Sequence, residues 1–181
     1  MDIVKTALTI AAATWIVAPS AMAQGGKVPN LSVTSKTVNE GKTIPLNHTG
    51  DGKDVSPEIS WDKAPATTKT FALTLEDPDA PGGKWFHWII FNVPANTRSL
   101  KENVDKAPTL PDGSSQGKND FGKIGYNGPA PPKGSEHHYI YKVFALDNKL
   151  ALKPGCDKKQ FYEAITGHVV AKGRLTGLYK R

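Results

Sequence analysis

Cysteine is almost absent: Cys156 is the only one in 181 residues. No disulfide can close within the chain, so stability has to come from packing, and with no partner residue marking it as a nucleophile Cys156 reads as a buried thiol. Repeats and low-complexity blocks are missing, and no run of like charge is long enough for a disordered tail. The apolar run from about Ala7 to Ala18 is too short to cross a bilayer. Lysine and arginine form no concentrated stripe, which argues against nucleic acid as a partner.

What is present begins with compartment. Lys5, the short apolar run, Pro19 and Ala21-Met22-Ala23 have the order of a secretory leader with an A-x-A cleavage site. Residues 1–23 are therefore expected to be removed before Gln24, giving a periplasmic or secreted protein with no transmembrane segment. The remaining 24–181 suffices for one domain with its own core. Lys and Arg number 23 against 17 Asp and Glu, a formal charge of +6. Asp2 and Lys5 cancel inside the leader, so the excess belongs to the mature chain and favours an anionic partner.

The mature chain reads as mainly β. Leu31 to Ile44 suggests two short edge strands about an Asn39–Lys42 turn, and 47–54 a surface loop in which His48 is solvated. Ser56–Trp61 is extended, with Trp61 as a core anchor. Thr70–Leu75 alternates as a strand. Trp85–Val93 is too apolar for a strand wetted on one face, and Pro94 ends it. Between them Pro78, Pro81, Gly82 and Gly83 force a structured turn. The stretch 96–125 is a long polar loop, with Asn119–Gly122 as a packed turn, expected to fold over a site. A rigid Gly/Pro segment, 125–136, then feeds His137, His138 and a strand from Tyr139 to Leu146. Asp157, with Gln160 three residues on, opens one short helix that Gly167 closes. His168 is expected to pack where that helix meets the last strand.

Chemistry concentrates at the first Pro/Gly junction, where Asp77 and Asp79 stand across a short turn from His87. A carboxylate beside an imidazole keeps the ring charged and fixes its orientation, which makes a place to hold an anion. Turn-capping aspartates beside a core histidine are the structural alternative. The pattern repeats at Pro129 to His137, a second Pro/Gly turn leading histidine into a strand.

Together these residues resemble the phosphatidylethanolamine-binding protein family, specifically its bacterial Raf kinase inhibitor-like branch. The resemblance is carried by Asp-Pro-Asp-Ala-Pro at 77–81, His-Trp at 87–88, and Gly-Pro-Ala-Pro-Pro-Lys-Gly then His-His-Tyr within 128–139. Ser-Pro-Glu-Ile-Ser-Trp at 56–61, Gln-Gly-Lys-Asn-Asp-Phe-Gly at 116–122 and Gly-His-Val-Val-Ala at 167–171 extend it over nearly all of 24–181. It implies a central antiparallel sheet packed on a smaller one, with a short helix toward the carboxyl end and an anion pocket at one rim. The pocket would be lined by Asp77, His87, His137 and Tyr139, its mouth shaped by Trp85, Ala80, Pro81, Ala130 and Pro131, and its turn braced by Asp79. The Ala80–Pro81 bond is a candidate for the cis isomer. Strand alternation turns His138 away from the pocket.

Two imidazoles, a phenol and loop amides can supply the convergent donors that a phosphoryl group needs. The expected function is binding of a small anion, phosphorylated group or phospholipid headgroup without turnover and without a cofactor. No serine or cysteine in these motifs pairs with a histidine as a nucleophile. Two other readings stand beside it. One is a phosphoester hydrolase using His87, His137 and Asp77, with or without a metal. The other is an inhibitor of a protein partner that works through the 96–125 loop independently of the pocket.

Overall fold

The computed structural model describes residues 28–181; the expected leader and its cleavage site lie outside them. Segments rich in β-branched and aromatic side chains form the strands, because such side chains fit a pleated, packed surface. In chain order these are β1 (Ser32–Thr34), β2 (Lys42–Thr43), β3 (Ile59–Asp62), β4 (Thr70–Asp77), β5 (Trp85–Pro94), β6 (Ser99–Leu100), β7 (Ser115–Gln116), β8 (Glu136–Leu146) and β9 (Val169–Lys180), with helix α1 (Lys158–Ile165) between the last two. A six-stranded sheet has the order β2-β9-β8-β4-β5-β7, and a three-stranded sheet the order β1-β3-β6. Neighbours run antiparallel except at one edge, where β2 pairs parallel with β9.

The large sheet is buried on both faces at β4 and β5, which explains why these two strands are apolar almost throughout. One face meets the small sheet and its loops through Trp61, Phe71, Leu73, Trp88, Tyr141 and Leu175. The other meets α1 through Ala72, Phe86, Ile89, Phe144 and Phe161. Cys156 is buried on that second side, where burial pushes its thiol up to about 11 and keeps it unreactive at neutral pH.

Simple alternation does not describe β5. Its register against β4 slips twice, between Phe71 and Leu73 and between Leu75 and Glu76. Each slip adds one residue to β5, a β-bulge that reverses which parity faces the core. Asn92 takes the first, with φ of 57° and a side chain that bonds both the carbonyl and the amide of Leu150. His87 takes the second: Leu75 pairs with Trp88 and Glu76 with Phe86, leaving His87 between them. The bulge lets His87 and Trp88, adjacent in sequence, both belong to the small-sheet side.

Two expectations are corrected in the loops. His48 is 2% exposed rather than solvated. Its Nδ1–H donates to the Val55 carbonyl at 3.0 Å and its Nε2 meets the Thr37 hydroxyl at 3.0 Å. It sits beneath the Gly/Pro segment, where Gly50 N–H bonds the Pro129 carbonyl. A Cβ on Gly128 would lie 2.5 Å from the His48 carbonyl oxygen, so only glycine allows that approach. His168 is not packed between helix and strand; its half-exposed ring pairs with Asp147 at 2.9 Å.

The loop 96–125 is fastened by amide side chains. Gln116 accepts from Trp88 Nε1 at 2.7 Å and donates to the carbonyls of Asp105 and Ala107. Asn119 donates to the Gly125 carbonyl and the Asn127 side chain while accepting from the amides of Phe121 and Lys123.

Helix α1 starts as its sequence predicts. The Asp157 carboxylate accepts from the Gln160 amide at 2.8 Å, and the Gln160 side chain accepts from the Asp157 amide at 3.0 Å. Removing this reciprocal cap with Asp157→Ala is expected to lower stability by about 1 kcal/mol, read as a shift in urea midpoint with an unchanged slope. A shift indistinguishable from zero would show that packing of Phe161 and Ile165 alone holds the helix.

Candidate functional site

At the end of the large sheet where β4 leaves and β5 enters, a cavity of about 180 Å³ is lined by Asp77, His87, His137 and Tyr139, with Trp85, Ala80, Pro81, Ala130 and Pro131 around them. All nine residues singled out in the sequence meet there. Phe121 and Pro132 complete the wall.

Each polar side chain arrives by a different route. Asp77 is the last residue of β4 and His87 sits on the β5 bulge. His137 and Tyr139 lie two apart on β8 and so share a face. Tyr139 stands between the imidazoles: its ring meets His87 edge-on at 5.2 Å between centroids, and lies nearly parallel to His137 at 6.4 Å. Residues His87, His137 and Tyr139 are 3%, 5% and 0% exposed, so bonds made inside the cavity escape most competition from water.

The partner of Asp77 is not His87, across its own turn, but His137, 60 residues away: Nδ1–H of His137 donates to Asp77 Oδ2 at 2.7 Å. The other Asp77 oxygen accepts from the Asp79 amide at 2.9 Å. Asp79 braces the turn by accepting from the amide and the ring Nδ1–H of His138, at 2.7 and 2.8 Å. The His138 amide chiefly holds its carboxyl below the usual range. His138 itself is exposed and outside the cavity. The peptide bond before Pro81 is trans, as are all peptide bonds among the described residues; the turn closes instead through Gly82 and Gly83, both at positive φ.

His87 Nδ1 meets the Asn127 carbonyl at 2.8 Å. A carbonyl only accepts, so Nδ1 carries the proton and Nε2 is the nitrogen left for a ligand. Burial holds this imidazole below the usual histidine range, outweighing the Asn127 carbonyl and the Asp77 charge, which pull upward. His87 is therefore neutral at pH 7. The Tyr139 hydroxyl is buried without a hydrogen-bond partner among the described residues. Its approaches to Asp77 and to the Ala130 backbone fall short of bonding geometry, and burial, then Asp77, push its ionisation well above the ordinary phenol range. It stays a neutral donor.

Sequence reasoning missed three contributors. Phe121 packs on both Trp85 and His87, at 5.5 and 5.1 Å, held there by Asn119 and by Asp120, whose carboxylate accepts from the Phe86 amide and from Lys158. Asn127 orients His87, and Pro132 extends the wall. The packed turn at 119–122 was visible in sequence, but nothing local says which histidine it covers. Among the described residues no three His, Cys, Asp or Glu side chains converge in a metal-binding arrangement, and no serine, threonine or cysteine lines the cavity.

Residues 34–180 match the family described as Phosphatidylethanolamine-binding protein. A UPF0098 protein of Methanothermobacter thermautotrophicus is 46% identical over 151 residues, 83% of this chain and 99% of that protein. The UPF0098 protein YbhB of Escherichia coli K12 is 37% identical over 157 residues, 82% of this chain and 99% of its own length. The crystal structure of E. coli YbcL, described as a member of the mammalian PEBP family, matches with a TM-score of 0.79 at 33% identity, covering 84% of this chain and 99% of that one. The Chlamydia trachomatis homologue CT736 matches with 0.76 at 33% identity, over 84% and 98%. The chain belongs to the phosphatidylethanolamine-binding protein family.

Proposed function

We propose that this chain is an exported binding protein whose cavity holds the phosphoryl group of a small ligand or lipid headgroup without turning it over. The observation that carries this reading is the convergence of His87, His137 and Tyr139 on one cavity, with the Tyr139 ring between the two imidazoles and its buried hydroxyl without a hydrogen-bond partner among the described residues. A buried donor left unmet is destabilising unless something fills its bond. An anion does so. The 180 Å³ space suits a phosphoryl group and its first substituent. The wall carries no serine, threonine or cysteine, and two of its other nucleophilic groups are held back, Asp77 by the bond it accepts from His137 and Tyr139 by burial that keeps its phenol protonated, which favours binding over covalent transfer. Export rests on the leader-like residues 1–23; the mass of the purified mature protein tests it, with Gln24 expected as first residue and an intact Met1 as the contrary result.

Titration calorimetry with inorganic phosphate and with O-phosphoethanolamine tests the cavity. Saturable binding of at least one, lost in His87→Ala, is expected; no heat from either at millimolar concentration would overturn the reading.

The protonation state of His87 adds a pH signature. With neutral His87 offering a bare Nε2, one proton must be shared between ring and phosphoryl oxygen, carried in by imidazolium or by a P–OH. Affinity should therefore rise on acidification from pH 8 to 6, by up to about tenfold per pH unit. Stability of the ligand-free protein moves the other way. The folded pKa of His87 lies below its ordinary value of 6.5, so the unfolded chain binds more protons. The His87 contribution is complete above about pH 6.5 and declines as pH falls through the folded value, by at most about 1.4 kcal/mol per pH unit. Urea titrations of wild type and His87→Gln should diverge in that window, and parallel curves would show that His87 is not held neutral.

A further inference from the structure

Helix α1 has only eight residues and cannot cover the whole second face of the six-stranded sheet. Over β8 and β9 it leaves a cavity of about 660 Å³ with Leu31, Phe144 and Tyr162 as apolar wall and Lys84, Lys142, Lys172 and Arg174 as charged wall. This lies on the face of the sheet opposite to the small sheet, and shares no lining residue with the cavity of His87 and His137.

The charges here are out of balance. In the β8–β9 register Lys142 stands directly opposite Arg174, and Phe144 opposite Lys172. Like charges directly across a strand pair repel and destabilise the sheet. One carboxylate is near, Glu76, and it is already saturated: Lys142 donates to it at 2.6 Å, Lys84 lies at 3.4 Å, and the hydroxyls of Thr74 and Tyr162 also donate. Burial pushes the Glu76 carboxyl up, but these bonds outweigh it and keep it ionised. At 1% exposure it can offer nothing to Arg174. Among the described residues no carboxylate comes within ion-pair reach of Lys172 or Arg174.

We propose that this cavity is a second binding site, for a small organic acid that joins an acidic group to an apolar, aromatic body. The acidic group bridges Arg174, Lys172 and Lys142, relieving their repulsion through charge-assisted bonds. The apolar body lies against Phe144, Leu31 and Tyr162. Phe144 is nearly buried against Phe161 and Tyr162, so the half-buried ring of Tyr162 is the aromatic surface open to the ligand's body. The volume falls within the range of small-molecule sites, about 300–1,000 Å³, where an apolar wall with few placed polar groups is the usual construction. Four cations against one neutralised carboxylate set the sign of the ligand.

The test uses naphthalene-2-sulfonate as probe, followed by calorimetry and by amide chemical shifts of the full mature chain. Saturable binding is expected, with shifts concentrated on 142–144 and 172–174. Both inorganic sulfate, which lacks the apolar body, and 2-naphthalenemethanol, which lacks the charge, should bind at least tenfold more weakly. Arg174→Gln should weaken the sulfonate at least tenfold while melting no lower than wild type, because it removes a repelling charge; Arg174→Lys should recover part of the affinity. Saturating O-phosphoethanolamine should leave sulfonate binding unchanged within threefold. Equal affinity in Arg174→Gln, full displacement of the sulfonate by O-phosphoethanolamine, or shifts confined to the region of His87 would each overturn the proposal.

Discussion

Replacing His137 with alanine is expected to weaken phosphate binding by about 30-fold or more, the effect of losing roughly 2 kcal/mol at a buried, hydrogen-bonded contact. The reason is double. The variant removes one of the rings that line the cavity, and it strips Asp77 of the Nδ1–H that now meets its carboxylate at 2.7 Å. Asp77 is 3% exposed, so water cannot replace that bond, and an unmet negative charge is left on the wall of the cavity proposed to hold the anion. The same loss should appear in stability, since breaking a buried pair by removing one partner costs about 3 kcal/mol or more. A second variant separates the two effects. In Asp77→Asn/His137→Ala the repelling charge is gone, so part of both the affinity and the stability should return. The measurements are calorimetric titration with inorganic phosphate at pH 6.5 and urea unfolding of all three proteins. Affinity within threefold of wild type in the single variant would show that the anion does not rest on His137. A double variant weaker than the single one would show that Asp77 helps the ligand other than through His137.

The largest effect on stability is expected from Trp88→Ala, about 3–5 kcal/mol. Trp88 is fully buried at the middle of β5 and packs edge-on against Tyr126 at 5.6 Å. Its truncation leaves a large void between the two sheets. It also strands the side-chain oxygen of Gln116, which accepts from Trp88 Nε1 at 2.7 Å. Gln116 in turn ties down the carbonyls of Asp105 and Ala107, so the loop that delivers Asn119 and Phe121 to the cavity should loosen with it. Trp88→Phe divides the two contributions: it keeps most of the packing but leaves Gln116 unmet, for about 1–3 kcal/mol. Urea unfolding gives the first number, and protection of the 116–125 amides from hydrogen exchange gives the second. A loss under 1 kcal/mol for Trp88→Ala would mean that the core closes around the void, and that Gln116 has found another donor.

These expectations rest on features that differ in how far the sequence reveals them. Strands β4, β5, β8 and β9 are legible because β-branched and aromatic runs bounded by Pro and Gly have few other uses, and α1 is legible because its cap is a local bond between Asp157 and Gln160. The histidines of the cavity are legible too, since each follows a Pro/Gly turn into a strand. Features that depend on non-local partners are not. His48 looks solvated among polar neighbours, yet Thr37, Val55 and the Gly/Pro segment close over it. The two bulges of β5 have no local signature, since Asn92 and His87 become extra residues only when β4 sets the register. Gln116 and Asn119 look like ordinary loop amides, because an amide becomes a hub only through carbonyls brought to it from elsewhere.

By itself the sequence determined the β-rich class of this protein, the inventory of side chains proposed to hold an anion, and the two turns that present them. Tertiary structure decided the pairings: Asp77 with His137 instead of His87, Tyr139 between two rings with no hydrogen-bond partner among the described residues, and Lys142 set against Arg174. The physical reason is that local order follows from backbone restriction and periodicity, which are written in adjacent residues. Electrostatic coupling and burial depend on distances of a few ångströms between residues tens of positions apart, and those distances exist only once the sheet has chosen its register.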